Sequence, residues 1–437
     1  MMPWLLTVLY FLVLLFIIRR SKFFLPEQIT FSLAALAFLF KTAAGILLGV
    51  VYRLHYHGEG DAIGYFNYGN AVYSVFLSHP ADYFRILLGI NTNTAYYHEN
   101  YFIRWPFWFN EKFEFFFNDS RTIIRLNSFF RIFSFGVYNV HVVFFSFLSF
   151  AGLSGLYRFF SQCIRSQHKI FYAAVFMLPS VAFWGSGVIK ESLVFFTLGF
   201  TLYLAQKKSK QMSILSFILL ILFCFLLALV KFYYLIALLP AFAVLLWCGN
   251  RKNIFIKFIL VHTVFVLLLY STKYIFPDYD AAVVISFKQN NFINFAEKMN
   301  AGSLIHTEKL EPYWSDIILH SPKAFLTTLI TPLELSAEKN FVALASLETL
   351  FILFLIVIVT IFFQRPEKDS YPYMLFALSF VIITFVLIGL TTPVAGTLVR
   401  YKVISLPFLM FVIFQLTDFG KIKLFLSRKT SVNVINS

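Results

Sequence analysis

Ile214-Leu-Ser-Phe-Ile-Leu-Leu-Ile-Leu-Phe-Cys-Phe-Leu-Leu-Ala-Leu-Val230 is an apolar run without a single charge. As a helix rising 1.5 Å per residue it would cover about 25 Å, close to the hydrocarbon thickness of a bilayer. Lysines bound it on both sides: Lys207-Lys208-Ser209-Lys210 before it and Lys231 after it. Similar runs, Leu350–Phe363 among them, recur along the chain. Of 437 residues, 59% are hydrophobic, 20% aromatic and only 13% charged, with a mean hydropathy of +0.77. Soluble domains carry about 25% charged residues, so this composition excludes a cytosolic enzyme, a secreted disulfide scaffold and a disordered chain. The three cysteines, Cys163, Cys224 and Cys248, sit in or beside apolar stretches without metal-ligand spacing.

The expected fold is therefore an all-α integral membrane protein in one polytopic domain, residues 1–437. About eleven transmembrane helices are expected, starting near residues 3, 30, 139, 170, 191, 212, 233, 254, 344, 372 and 401. The first run lacks a small-residue cleavage site and is expected to stay as a span. Placing Arg19-Arg20-Ser21-Lys22 in the cytoplasm and alternating from there tests the scheme. The inner face then collects 18 basic residues and four acidic ones, net +14, and leaves +1 for the rest of the chain's formal +15. That asymmetry is what the positive-inside rule demands. The basic excess is thus a topology signal, with no nucleic acid implied. The N-terminus is expected outside and the C-terminus in the cytoplasm of a plasma (inner) membrane. Both long connections, about 52–138 and 273–343, fall on the extracytoplasmic side and carry interfacial amphipathic helices. No phosphate-binding glycine loop is present, which disfavours ATP-driven transport. No internal repeat supports an inverted-repeat transporter.

Four segments could carry chemistry. The first outer loop opens with Tyr52-Arg-Leu-His-Tyr-His-Gly-Glu-Gly-Asp61. Carboxylates at a low-dielectric boundary suit general-base work or a divalent cation, magnesium or manganese. Asp61 is the first choice as base and Glu59 the second, and the same two residues are the candidate metal ligands. His57 and Arg53 are candidate substrate-binding groups beside them. A plain solvated loop would read the same way, but the aromatic stretch that follows (Tyr65, Phe66, Tyr68, Tyr73, Phe76) and Tyr101–Phe117 suggest helices at the interface. The second segment is Leu178-Pro-Ser-Val-Ala-Phe-Trp-Gly-Ser-Gly-Val-Ile-Lys-Glu191-Ser-Leu, expected as a tight outer hairpin with Lys190 and Glu191 at its tip. Its small residues would let a ligand approach the backbone. The third is Leu390-Thr-Thr-Pro-Val-Ala-Gly-Thr-Leu-Val-Arg400-Tyr-Lys402, whose Arg400 and Lys402 are cations on the face the positive-inside rule disfavours, suited to phosphate or to lipid headgroups. The fourth, Ser321–Glu334, reads as a short amphipathic helix closed by Pro332. Lys41 falls in the middle of the second span, as a structural group or as part of the site.

At these residues the chain resembles the GT-C superfamily of multipass glycosyltransferases. Glu59-Gly-Asp61 is similar to the acidic motif of that family's first outer loop. Pro179…Gly185-Ser-Gly…Lys190-Glu191-Ser-Leu is similar to its second motif. The likeness implies transfer of a sugar, with inversion, from a polyprenyl-phosphate donor to a glycan, lipid or protein acceptor at the outer face of the bilayer. A loop carboxylate would act as base, and cations would steady the leaving phosphate. The chain departs from the family by an extra N-terminal span, by Glu-x-Asp in place of adjacent acids, and by lacking a soluble C-terminal domain. Two other readings fit the composition: an envelope polysaccharide polymerase or ligase relying more on Arg and His, and a non-enzymatic flippase or transporter of lipid-linked glycans.

Overall fold

The computed structural model describes residues 3–58, 60–105, 108, 119–206, 212–248, 252–276, 280–333, 340–425 and 427. Among these residues the chain is all helix, with two isolated bridges, Leu304 to Val394 and Phe363 to Thr417, as its only extended pairing. It forms two compact units, which divide between Leu235 and Ile236; residues 163–167 belong to the second.

The first unit opens with α1 (Pro3–Arg20) and α2 (Phe31–Leu54). The helices of the first long connection follow: α3 (Asp61–Ser78), α4 (Pro80–Leu88), α5 (Ala95–Asn100), a single 3-10 turn at Phe102–Arg104, and α6 (Ser120–Ser134). Then come α7 (Tyr138–Ser161), α8 (His168–Phe176), α9 (Pro179–Trp184) and α10 (Lys190–Ala205). The next helix, α11 (Ile214–Cys248), leaves helical geometry at Lys231 (φ −158°, ψ 87°) and runs on into the second unit. That unit holds α12 (Ile254–Ile275), α13 (Ala281–Lys298), α14 (Trp314–Ile330), α15 (Asn340–Ile361), α16 (Tyr371–Thr391), α17 (Ala395–Lys402) and α18 (Leu406–Leu416).

Among the described residues seven helices are long and apolar enough to cross a membrane: α1, α2, α7, α11, α12, α15 and α16. The α17–α18 pair, bent by 61°, makes an eighth candidate if counted as one span. The expected eleven is not reached, for identifiable reasons. The runs near 212 and 233 join in one 35-residue helix broken at Lys231, which is counted once although it has two arms. The run near 170 is cut by Pro179 into helices of nine and six residues, because proline cannot donate to the ladder. The run near 191 yields a helix of 16 residues, short for a crossing. Helices are present in both long connections. The fourth segment joins the longer α14, which carries Pro322 inside it and ends before Pro332; Glu334 lies outside the described residues.

Helix packing in the first unit depends on small residues. A side chain placed at Gly199 would meet the Gly152 carbonyl at 1.8 Å, and one at Gly155 would meet the Gly199 carbonyl at 2.6 Å, so α7 and α10 touch backbone to backbone. Close approach of this kind is how helices associate where lipid supplies no hydrophobic driving force. In the second unit Gly389 of α16 lies against the Ala324 carbonyl of α14. The Thr328 hydroxyl ties the same helices by donating to Phe385 O at 2.8 Å.

Candidate functional site

The chain turns between α2 and α3 through three residues in left-handed conformations, His57 (φ 51°), Gly58 (φ 80°) and Gly60 (φ 91°). Gly60 is required on two counts, because a Cβ there would also sit 2.8 Å from the Tyr52 ring. The turn delivers Asp61 as the first residue of α3, where the partial positive charge of a helix N-terminus favours a carboxylate. His57 is exposed. Arg53 is exposed too, its guanidinium stacked 4.8 Å over the Tyr138 ring. Glu59, the second carboxylate of the motif, lies outside the described residues. Among the described residues no group of three His, Cys, Asp or Glu side chains is arranged to hold a metal ion.

The second motif is not a tip in water. Residues 185–191 are buried, Lys190 being 8% exposed and Glu191 1%. Three successive carbonyls are taken up by side chains of three helices. Lys41 Nζ of α2 donates to Gly185 O at 3.2 Å, Ser146 Oγ of α7 to Ser186 O at 2.9 Å, and Ser192 Oγ of α10 to Gly187 O at 2.8 Å. Buried backbone groups need partners, so these donors let a non-helical bend sit among helices. They also assign Lys41 a structural task. The space beside the glycines is filled by protein: Phe195 and the Val181 carbonyl at Gly185, and the Leu48 side chain at Gly187. The small residues therefore serve packing, where the sequence suggested room for a ligand.

The two motifs come together. Ala62, next to Asp61, packs with Ile189, next to Lys190, in a buried cluster with Leu48 and Tyr52, edged by Ile63, Phe183 and Trp184. Lys190 Nζ lies 5.6 Å from the centre of the Tyr65 ring. Tyr65 is four residues from Asp61 and so shares its face of α3. The Lys190 ammonium reaches Asp119 Oδ1 at 2.5 Å. Asp119 stands at the N-cap of α6 without capping it, its carboxylate given to Lys190 instead. Sequence reasoning missed Asp119. The Asp-Ser pair ahead of a helix was a visible start signal, but nothing local announces a partner 71 positions away.

Behind this face α3 rests on α6, with Gly69 against Asn127. Asn127 Nδ2 donates to Ile123 O, which leaves Asn127 Oδ1 to accept from His141 Nδ1 at 2.8 Å. In neutral His141, Nε2 then accepts from Ser134 Oγ at 2.7 Å. The histidine is fully buried and serves as a structural link. Further along the loop, the hydroxyls of Tyr96, Tyr97 and Tyr101 all donate to Asp82, each at 2.9 Å. Desolvation pushes that carboxyl's pKa up, but the three hydrogen bonds and His79 outweigh it and hold the group below the usual carboxylate range.

The remaining two candidates belong to the second unit. Arg400 is 9% exposed in α17. Lys402 is 4% exposed and donates to the Thr328 and Thr331 carbonyls at 3.4 and 2.5 Å and to the Thr349 hydroxyl at 3.4 Å. An ammonium has three protons, so these contacts occupy it within the protein. It closes the C-terminal end of α14 rather than waiting for a phosphate. The polypeptide entering α17 is itself pinned, Ile305 N donating to Pro393 O and Ala395 N to Ser303 O. No family model, curated protein or solved structure matches this chain.

Proposed function

We propose that the chain is a membrane glycosyltransferase, which moves a sugar from a polyprenyl-phosphate donor to an acceptor hydroxyl at the extracytoplasmic face. The observation that carries this is the meeting of the two motifs: Asp61 at the start of α3, and Lys190 held by Asp119 on the same face of that helix. In the proposed step Asp61 takes the proton from the acceptor hydroxyl as its oxygen attacks the anomeric carbon. The bond from that carbon to the phosphate oxygen breaks, and its electron pair leaves with the polyprenyl phosphate. Lys190 supplies positive charge near the developing phosphate, and Asp119 fixes its position. The aromatic outer-loop helices suit a donor whose lipid tail cannot leave the bilayer.

The test uses purified protein in nanodiscs with a panel of polyprenyl-phosphate hexoses and pentoses, following release of polyprenyl phosphate. Wild type is expected to release it with at least one donor. Asp61→Asn, still folded and inserted, is expected to lose on the order of 10²–10⁴-fold in rate, the usual contribution of a positioned base. Full activity in Asp61→Asn removes the base. Activity that instead depends on His57 and Arg400 transfers the case to a polysaccharide polymerase or ligase. Movement of donors across the bilayer without release supports a flippase.

A further inference from the structure

Arg121 and Arg125 stand one turn apart on α6, and their guanidinium carbons lie 5.6 and 5.3 Å from the ring centre of the same residue, Trp108. Each is anchored through one nitrogen: Arg121 Nε donates to Trp108 O at 3.0 Å, and Arg125 Nε to Ile86 O at 2.9 Å. A guanidinium has five N–H donors. Among the described residues the terminal nitrogens of both arginines make no hydrogen bond, and neither side chain has an ion pair. The carboxylate nearest in sequence, Asp119, is engaged by Lys190. The Arg125 fork packs against Gly89 at the left-handed end of α4, where a Cβ would come within 2.8 Å of Nη2.

Two like charges four residues apart on a helix repel, and partly buried charges are costly unless matched by an opposite charge. Both costs are visible here. Desolvation lowers the Arg121 pKa, and desolvation together with the Arg121 charge brings Arg125 down to about 10. Holding two cations against one indole, with no carboxylate paired with either fork among the described residues, is unfavourable until an anion arrives. We infer that Trp108, Arg121 and Arg125 form a seat for a phosphate or diphosphate group. Planar guanidinium forks grip phosphate oxygens in bidentate pairs, which an ammonium cannot reproduce. The indole behind them excludes water and strengthens those bonds. The phosphate could be carried on a lipid or be free in solution, since either presents the same oxygens. The seat does not depend on sugar transfer.

The full chain in phosphatidylcholine nanodiscs is tested by thermal unfolding against two probes, inorganic pyrophosphate in solution and a long-chain polyprenyl phosphate in the disc, with sodium chloride of equal ionic strength as the control. At least one probe is expected to raise the Tm of wild type beyond the chloride control. Arg125→Gln should shift the half-saturating concentration at least roughly tenfold, as loss of a charge-assisted phosphate contact requires, and Arg125→Lys should recover only part of it. Without probe, the Arg121→Gln/Arg125→Gln protein is expected to melt at or above wild type, because two unmatched charges are gone. A response to polyprenyl phosphate alone identifies a lipid phosphate, and a response to pyrophosphate alone identifies a soluble one. If neither probe stabilises wild type, or the double variant responds as wild type does, the seat is refuted. A double variant that melts well below wild type, with both probes silent, means the arginines only pack. Asp61→Asn should bind the probes normally, so a failed transferase and a failed seat give different results.

Discussion

At Asp82 one carboxylate gathers three tyrosine hydroxyls from α5 and the turn after it, and the consequence is a pH dependence with a defined sign. The folded-state pKa is lowered, so the stabilisation is fully present above the unfolded value of about 3.9 and is lost as pH falls through the folded one. The group is largely solvated, so its worth is discounted to about 1 kcal/mol. Asp82→Asn should therefore melt below wild type at pH 7 and pH 5, and the gap should narrow as pH falls below about 3.9. A gap that does not change with pH would show that the tyrosines merely pack. The residue scale also marks where sequence reading stopped. Asp61 was legible because glycines and the exit from a span surround it. Lys190 was legible as an ionisable group beside small residues, but its partner Asp119, 71 positions away, was not. Arg121 and Arg125 went unremarked because an arginine pair on a helix looks like a solvated face until Trp108 is seen packed against both. A partner brought by folding leaves no trace in local spacing.

Among the elements, the helices that sequence located well are those with uninterrupted apolar runs, α1, α2, α7, α12, α15 and α16, since length and hydropathy are the signal a bilayer itself reads. The elements it misjudged are those whose burial is by protein. Residues 168–205 are apolar like a span, yet they form α8, α9 and α10 around a bend whose carbonyls are satisfied by Lys41, Ser146 and Ser192. Such a bend is allowed at membrane depth only where protein surrounds it. The crossing of α7 and α10 makes a quantitative expectation. At Gly199 a Cβ would lie 1.8 Å from a carbonyl oxygen of the facing helix, backbone that cannot rotate away. Gly199→Leu should separate the helices and lower stability by about 3 kcal/mol, at the upper end of ordinary overpacking. Gly302→Ala, where nothing lies within 4 Å, is the matched control and should be neutral within about 0.5 kcal/mol. Equal melting temperatures for the two variants in detergent would show that α7 and α10 are not packed this closely.

For the whole molecule, the orientation of every loop after the first 210 residues turns on α11. Straight, its 35 residues would reach about 52 Å, well beyond a hydrocarbon core of about 30 Å. Broken at Lys231, it gives two arms of about 25 Å, each near the lower limit for a crossing. The charges favour two crossings. Lys207, Lys208 and Lys210 precede the helix, and Arg251, Lys252 and Lys257 lie at or beyond its end. Both groups satisfy the positive-inside rule only if the chain returns to the side it left. Two crossings also place Lys231 at the outer boundary, where a lysine beside Tyr233, its ammonium 5.6 Å from the ring, costs little. One crossing would leave it near mid-membrane, where charge is expensive. In a background with Cys163, Cys224 and Cys248 replaced, Gln206→Cys and Lys252→Cys should both resist an impermeant maleimide on intact cells and both react once the membrane is opened. If one reacts from outside and the other does not, α11 crosses once, every later loop changes sides, and the C-terminus moves out of the cytoplasm. That outcome would also put basic residues 251, 252 and 257 on the outer face and remove the charge asymmetry on which the orientation was built.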